Sequence, residues 1–322
     1  MKIAVIGAGA MGSLFGGKLT SVTDVWLVDP WAEHVAAMRQ NGLELTNPDG
    51  TIERISVQAV GTPEEVDGPV DLALIFVKSH STRWAAEQAS TLLAEDGLAL
   101  TLQNGLGNLE VVAKVVGADR ATQGVTAQGA TLLGPGRVRH AGEGPTHLAR
   151  SPGIASQVEE IARLFRSAGL ETHLSDDLDS LIWGKLVINV GVNALTAILR
   201  VQNGVLVELP PTRKLMAAAV SEAVAVAERK GIALPYDDPV ARVEEVAMAT
   251  SLNRSSMLQD VLRGARTEIS VINGAIVREG ERIGVPTPVN RTLTWLVQAV
   301  EKSNEVHATI DDTSSEAVPL DV

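Results

Sequence analysis

The sequence predicts an α/β fold, with an N-terminal Rossmann-type doubly wound sheet followed by an all-α C-terminal domain. Short apolar runs of strand length alternate with helical patterns in the first half, and such alternation is typical of a parallel sheet covered by helices on both faces. From about residue 175 only long helical patterns follow. The predicted strands are Ile3–Ile6, Val25–Val28, Asp71–Val77 and Leu98–Leu102, and the helices between them are Met11–Thr20, Trp31–Asn41, Thr82–Ala94 and Leu109–Val116.

Turn signals and helical periodicity set the remaining elements and the domain borders. Asn47-Pro48-Asp49-Gly50 predicts a hairpin within Glu44–Val57, and the glycine-rich segment Thr122–Ala149 predicts further strands. The helices predicted in the second half are Leu181–Leu199, Thr212–Lys230, Pro239–Ala249, Met257–Arg263, Ala265–Ile283 and Pro288–Ser303. We therefore expect a dinucleotide-binding domain over residues 1–177, an all-helical substrate and catalytic domain over residues 178–305, and a disordered acidic tail over residues 306–322.

Composition excludes several classes of function. The 322 residues carry a net charge of −12, which disfavours nucleic-acid binding because a phosphate backbone would be repelled. There is no cysteine, so disulfides and thiol catalysis are excluded, and the six histidines show no metal-ligand spacing. No signal-peptide pattern and no uninterrupted membrane-length apolar run is present. We expect a cytoplasmic protein without metal or membrane partner, whose helical domain is compatible with a homodimer.

A glycine-rich turn predicts a dinucleotide site. Gly7-Ala8-Gly9-Ala10-Met11-Gly12 follows the first predicted strand and opens the first helix, where free N–H groups would face a pyrophosphate. Asp29 ends the second strand 22 residues after Gly7, where it can accept hydrogen bonds from a ribose. Because glycine turns are common, a purely structural turn is the alternative; strand, helix and acid together favour dinucleotide binding.

A polar stripe on an apolar helix predicts a catalytic or substrate site. Lys185, Asn189 and Asn193 are spaced four residues apart within Leu181–Leu195 and therefore share one helix face. Such a stripe could hold a carboxylate or carbonyl oxygen, although a polar seam against another helix is the alternative. Desolvation would lower the pKa of Lys185, which suits proton donation to a nascent alkoxide.

Several motifs in order resemble the ketopantoate reductase family, and the resemblance runs to about Ser303. They include Gly7–Gly12, Phe76-Val77-Lys78-Ser79, Gln103-Asn104-Gly105-Leu106-Gly107, Trp183-Gly184-Lys185 with Asn189 and Asn193, Asn253 to Asp260, and Thr267-Glu268-Ile269 with Ile272-Asn273-Gly274. The resemblance implies an enzyme of pantothenate biosynthesis that reduces 2-dehydropantoate to pantoate with a nicotinamide cofactor.

The resemblance also implies a role for individual residues. Lys185 matches the general acid, and Glu268 matches the acid that supports this lysine or the substrate. Lys78 and Asn104 match residues at the nicotinamide end of the cofactor site. The residues that match the family's substrate-binding positions are Asn189, Asn193, Asn203, Asn253 and Ser256. Four of these residues also have a purely structural interpretation. Lys78 could cap its strand, Asn104 and Asn203 could shape turns, and Ser256 could be the N-cap of the predicted helix Met257–Arg263.

The sequence departs from the family at the second strand and after Glu268. Where NADPH-using relatives carry a small residue and then Arg, this chain has Asp29-Pro30-Trp31, so we expect NAD to be favoured over NADP. Ser270 stands where many relatives carry an acid, which puts any contact there in doubt.

Other functions stay open beside reduction of 2-dehydropantoate. The alternatives are an NAD-dependent dehydrogenase of another 2-hydroxy acid, a β-hydroxyacid dehydrogenase and a dinucleotide-binding sensor without turnover. Lys185 and Glu268 argue against the sensor, which would have no use for an acid, and the motif Gln103–Gly107 argues against the β-hydroxyacid dehydrogenase.

Overall fold

The chain folds into two compact units. The computed structural model describes the backbone of residues 1–314 and the side chains of residues 1–304. The first unit is Met1–Leu178, and the second begins at Asp179. The first is built on a sheet with helices on its faces, and the described elements of the second are helices, which confirms the predicted fold class.

The first unit contains twelve strands and five α-helices. Its strands are β1 (Lys2–Ile6), β2 (Asp24–Val28), β3 (Leu43–Thr46), β4 (Ile52–Ile55), β5 (Gln58–Val60), β6 (Val70–Ile75), β7 (Leu93–Thr101), β8 (Ala121–Thr126), β9 (Gly129–Gly134), β10 (Arg137–Gly142), β11 (Thr146–Ala149) and β12 (Thr172–Ser175). Its helices are α1 (Ala10–Leu19), α2 (Ala32–Asn41), α3 (Thr82–Leu92), α4 (Asn108–Val116) and α5 (Ala155–Ser167). Two short 3₁₀ helices, Pro63–Glu65 and Ser79–Ser81, lie in its loops.

The main sheet has eight strands in the order β12-β11-β8-β7-β6-β1-β2-β5. All neighbours are parallel except β8 and β11. The chain leaves β1 toward β2 and later crosses back to place β6 on the other side of β1, so the strand order reverses at β1. Ligands of open α/β sheets bind at such a reversal, outside the carboxyl ends of the strands.

A second sheet of four strands, β4-β3-β10-β9, packs against α1. The predicted hairpin is confirmed, because β3 and β4 pair antiparallel from Leu43 opposite Ile55 to Thr46 opposite Ile52. The turn between them is closed by a hydrogen bond from the Gly50 N–H to the Asn47 carbonyl. The predicted strands within Thr122–Ala149 are confirmed as β8 to β11.

The core of the first unit lies on both faces of the main sheet. Ile3 and Val5 face one apolar cluster, and Ile6 faces another, as the alternation of a strand requires. All three phenylalanines of the chain meet in the first cluster: the Phe15 ring lies 5.0 Å from Phe76 and 5.7 Å from Phe165 between centroids. Phe165 belongs to α5, so this helix, which the sequence analysis did not predict, covers one face of the sheet.

The described elements of the second unit include one long apolar helix. They are α6 (Leu178–Leu199), α7 (Val205–Glu208), α8 (Pro210–Arg229), α9 (Pro239–Ala249), α10 (Ser256–Leu262), a 3₁₀ helix (Ile269–Val271), α11 (Asn273–Ile283) and α12 (Pro288–Ser314). A Cβ on Gly191 of α6 would lie 2.7 Å from Val243 and 2.9 Å from Val220, so α9 and α8 approach α6 there more closely than a side chain allows. By length and composition α6 could cross a membrane, but 67% of its most apolar window is buried in the protein.

Two predictions for the second unit are wrong. A single helix was expected over 265–283, but α11 begins only at Asn273. The Thr267 N–H donates to Glu301, and the Thr267 hydroxyl accepts from the Ile269 N–H, so these side chains replace helical bonds. Disorder was expected from residue 306, but α12 continues to Ser314; residues 315–322 lie outside the described part of the chain.

Candidate functional site

The glycine-rich loop of the first unit joins β1 to α1. The N–H groups of Gly7 and Ala8 both donate to the Val28 carbonyl, at 2.9 and 3.2 Å, which holds the loop at the end of β2. A Cβ on Gly12 would lie 2.1 Å from the Gly7 carbonyl oxygen, whereas a Cβ on Gly9 would meet nothing within 4 Å. Gly12 therefore allows the loop to close on α1, and Gly9 leaves open space at the helix N-terminus.

This loop fits the pyrophosphate of a dinucleotide. Gly9 is the N-cap of α1 and supplies no side-chain cap, so the first N–H groups of Ala10, Met11 and Gly12 have no intrahelical acceptor. Free N–H groups and the positive end of the helix dipole favour an anion in the space that Gly9 leaves open.

Asp29 lies directly after β2, beside the glycine loop. The Asp29 carboxylate oxygen Oδ1 accepts from the Trp31 backbone N–H at 2.9 Å, and the Asp29 backbone N–H donates to the Val60 carbonyl. These two hydrogen bonds hold Asp29 in position. Burial raises the pKa of Asp29 above its ordinary value, while the hydrogen bond from Trp31, the nearby His34 and the Ala8 N–H oppose this rise. A ribose hydroxyl is a partner that such a partly desolvated carboxylate can accept from.

Lys78 and Asn104 lie on two loops that follow neighbouring strands, β6 and β7. The Gln103 amide joins these loops, donating to the Val77 carbonyl at 2.7 Å and to the Thr82 hydroxyl at 2.9 Å. Lys78 precedes the 3₁₀ helix that leads into α3, and the Asn104 carbonyl accepts from the Asn108 side chain. This role of Gln103 was not predicted from the sequence, although its place within a glycine-containing motif was a signal.

The predicted polar stripe lies on α6. Lys185 and Asn189 are partly buried and Asn193 is 5% exposed, so the three side chains share a largely desolvated face. Burial lowers the pKa of Lys185 to about 8, and the charge of Glu268 opposes that fall. Glu268 is 7% exposed and precedes the 3₁₀ helix Ile269–Val271. The Val271 N–H donates to the Glu268 carbonyl. The structure therefore brings the two predicted catalytic residues into electrostatic contact.

A buried hydroxyl pair ties the loop before α10 to α6. Thr196, one turn after Asn193, has its hydroxyl 2.7 Å from the hydroxyl of Ser255. Ser255 also accepts from the Leu258 N–H and is thereby the N-cap of α10. The alternative of Ser256 as the cap is wrong, because Ser256 is the first residue of the helix and is exposed. Its hydroxyl is thus not used to start the helix.

Asn203 and Asn253 are brought together by their backbones. The Asn203 N–H donates to the Asn253 carbonyl at 3.1 Å, and its side-chain amide donates to Thr250 at 2.9 Å. The Asn203 side chain is buried, and among the described residues its Oδ1 has no hydrogen-bond partner. The Asn253 side chain is exposed. A buried amide oxygen without a partner is costly, so it marks a place where a ligand hydroxyl could donate.

Comparison with known proteins identifies relatives over nearly the whole chain. The family model described as ketopantoate reductase PanE/ApbA matches residues 3–153, and its C-terminal counterpart matches residues 177–301. The 2-dehydropantoate 2-reductase of Halobacterium salinarum is 40% identical and covers 94% of this chain and 99% of its own. That of Archaeoglobus fulgidus is 35% identical and covers 93% and 98%.

Two solved structures are similar to the chain to the same degree. One is a PanE/ApbA family ketopantoate reductase from Ralstonia eutropha, and the other is a D-mandelate dehydrogenase with NADH and anilino(oxo)acetate. Each has a TM-score of 0.87 and 34% sequence identity and covers 95% of this chain and all of its own.

Proposed function

The chain belongs to the ketopantoate reductase family and is an NAD(P)-dependent oxidoreductase, and from this premise we propose that it reduces 2-dehydropantoate to pantoate. The observation that supports the proposal best is the polar face of α6, on which Lys185, Asn189 and Asn193 are aligned with Glu268 acting on the lysine. This face offers one acid of suitable pKa and two amides, which is what a 2-oxo acid needs at its carbonyl and its carboxylate.

We assign the proton donation to Lys185. The glycine loop and Asp29 would hold a nicotinamide cofactor, which would supply the hydride to C2 of the oxo acid, so that negative charge would develop on the former carbonyl oxygen. The Lys185 ammonium donates a proton to that oxygen, and the neutral amine then takes a proton from solvent. With a pKa of about 8, the lysine is mostly protonated at neutral pH yet gives up its proton more readily than a lysine in water.

Glu268 and the amides have supporting roles in this proposal. The Glu268 carboxylate stabilises the ammonium form of Lys185, since its charge raises the pKa that burial lowers. Asn189 and Asn193 lie about 6 and 12 Å along the helix from Lys185, by the rise of an α-helix. Together with Asn203, Asn253 and Ser256 they supply neutral donors and acceptors for the carboxylate and hydroxyl of the substrate.

A comparison of two substrates tests the assignment. 2-Oxoisovalerate differs from 2-dehydropantoate in lacking the hydroxymethyl group. The polar groups that would bind this hydroxyl lose about 1–3 kcal/mol each when left unpaired, so we expect kcat/KM to be at least about tenfold higher for 2-dehydropantoate. Equal or higher kcat/KM for 2-oxoisovalerate would contradict the proposed substrate and leave the proposed acid untouched.

For the cofactor we propose that NADH is preferred to NADPH. The Asp29 carboxylate can accept from the adenosine ribose hydroxyls of NADH, but it would repel a 2′-phosphate. Pro30 and Trp31 follow where NADPH-using relatives carry the phosphate-binding Arg. The Arg39 guanidinium donates to the Ala59 carbonyl and to the Glu65 carboxylate. A 2′-phosphate would have to compete with these two acceptors for Arg39.

The test of this preference is kcat/KM for both cofactors at saturating oxo acid. We expect NADH to be favoured, and we expect the double substitution Asp29→Ser with Pro30→Arg to weaken or reverse the preference. A clear preference of the wild-type enzyme for NADPH would refute the role of Asp29.

A second candidate function is an NAD-dependent dehydrogenase of another 2-hydroxy acid. The D-mandelate dehydrogenase with NADH is as similar to this chain as the ketopantoate reductase is, and Asp29 favours the same cofactor. The discriminating measurement is turnover of a panel that includes 2-dehydropantoate and phenylglyoxylate. Higher kcat/KM for the aromatic oxo acid would favour the second function.

A further inference from the structure

Trp31 forms an aromatic stack beside the dinucleotide loop. Its indole lies parallel to the His34 imidazole, with 5.3 Å between ring centroids and 9° between planes. His34 is completely buried, whereas Trp31 keeps 38% of its surface exposed. The imidazole packs against one face of the indole, and the exposed surface of Trp31 lies outside that contact. A large aromatic surface is thus offered to solvent on a rigid support.

The support is rigid because both nitrogens of His34 are occupied. Nδ1 accepts from the Gly136 N–H at 2.8 Å, so Nε2 carries the proton and donates to the Ala8 carbonyl at 2.9 Å. Burial lowers the pKa of His34, in keeping with this neutral state. The imidazole therefore connects α2 to the glycine loop and to the β9–β10 turn, and it offers the indole an uncharged flat surface.

The backbone of Trp31 is also fixed relative to Asp29. The Trp31 backbone N–H donates to the Asp29 carboxylate at 2.9 Å, and the Trp31 carbonyl accepts from the Val35 N–H in the first turn of α2. Asp29 is placed to hold the adenosine ribose, and the adenine base is bonded directly to that ribose. An adenine bonded to that ribose would therefore lie close to Asp29.

We propose that the exposed face of Trp31 is the stacking surface for the adenine base of the cofactor. An aromatic side chain can stack on the flat π-face of a nucleic-acid base, and such stacking contributes about 1–3 kcal/mol per base. His34 is a positioning residue that backs the indole. The inference rests on the proposed binding of the adenosine ribose by Asp29, and it is independent of the proposed substrate.

Binding of ADP-ribose to the full chain tests the proposal, because this probe carries the adenine, both riboses and the pyrophosphate without the nicotinamide. By calorimetry we expect Trp31→Leu to raise its Kd by roughly 5- to 150-fold, the equivalent of the stacking energy. Trp31→Phe should retain most of the affinity. Trp84→Leu is the matched control, since Trp84 is also 38% exposed but lies on α3, and it should leave the Kd unchanged.

Tryptophan fluorescence gives a second readout that does not depend on the leucine variant folding. ADP-ribose should quench the emission of the wild-type protein, and this quenching should be lost in Trp31→Phe and retained in Trp84→Phe. Nicotinamide mononucleotide, which lacks adenine, should not quench Trp31. A Kd within twofold of wild type for folded Trp31→Leu, or quenching that persists in Trp31→Phe, would overturn the proposal. Neither result would bear on which oxo acid is reduced.

Discussion

The pH dependence of reduction should report the ionisation of Lys185, and Glu268→Gln should move it. Burial lowers the pKa of this lysine from 10.5 to about 8. That fall corresponds to about 3–4 kcal/mol against the ammonium form. Because reduction needs the protonated amine, kcat/KM should be nearly constant below pH 7 and fall about tenfold per pH unit well above 8. Oxidation of the hydroxy acid needs the neutral amine and should rise over the same range.

Removal of the Glu268 charge should shift this profile in one direction only. Since that charge raises the pKa of Lys185, Glu268→Gln should move the midpoint of the reduction profile below that of the wild type. The assay is initial-rate kinetics from pH 6 to 10 with saturating cofactor. Glu244→Gln is the control, because Glu244 pairs with Arg213, and its profile should match the wild type.

Two results would refute this reasoning. A reduction profile that stays flat to pH 10 would show that Lys185 is not the acid, and a midpoint that rises in Glu268→Gln would show that the carboxylate does not stabilise the ammonium. Lys185→Ala should lower turnover by roughly 10²- to 10⁴-fold, the usual contribution of a positioned acid, while the Kd for NADH stays near the wild-type value. Near-normal turnover in that variant would contradict the assignment independently.

Two further pairs of variants separate folding from binding. Gly12→Ala places a methyl group against the Gly7 carbonyl and should lower both the Tm and the affinity for NADH. Gly9→Ala places its methyl group in open space and should weaken NADH binding without lowering the Tm. Equal Tm losses for the two variants in calorimetry would argue against the open space at Gly9. Ser255→Ala removes the cap of α10 and should cost about 0.5–2 kcal/mol of unfolding free energy, whereas the exposed Ser256→Ala should leave stability unchanged and raise KM for the oxo acid. Urea unfolding and steady-state kinetics check this pair, and a larger stability loss for Ser256→Ala would reverse the roles.

Much of the fold could be predicted because local patterns and packing agree. The strands next to the glycine loop are continuous apolar runs, as expected for strands covered on both faces, and each is followed by a helical pattern. The segment between Ala149 and Leu178 was not predicted. There α5 contributes Phe165 to the core, and its relation to the sheet depends on distant residues such as Phe15.

The site could be predicted only where one element carries it. Lys185, Asn189 and Asn193 share a face because helical periodicity alone aligns them. The link from Lys185 to Glu268 spans more than eighty residues and came from the family resemblance, not from spacing. Ser255, the N-cap of α10, also forms a hydrogen bond with Thr196, which lies 59 residues earlier in the sequence.

The sequence by itself determined the alternation of strands and helices, the glycine loop with its acid, and the polar stripe, because each depends on residues a few positions apart. The tertiary structure decided which loops are braced together by Gln103, how far the Lys185 pKa falls, and that the Trp31 indole rests on His34. These properties depend on burial and on hydrogen bonds between elements that only packing brings together. Desolvation and stacking are sums over spatial neighbours, and spatial neighbours are a property of the folded chain.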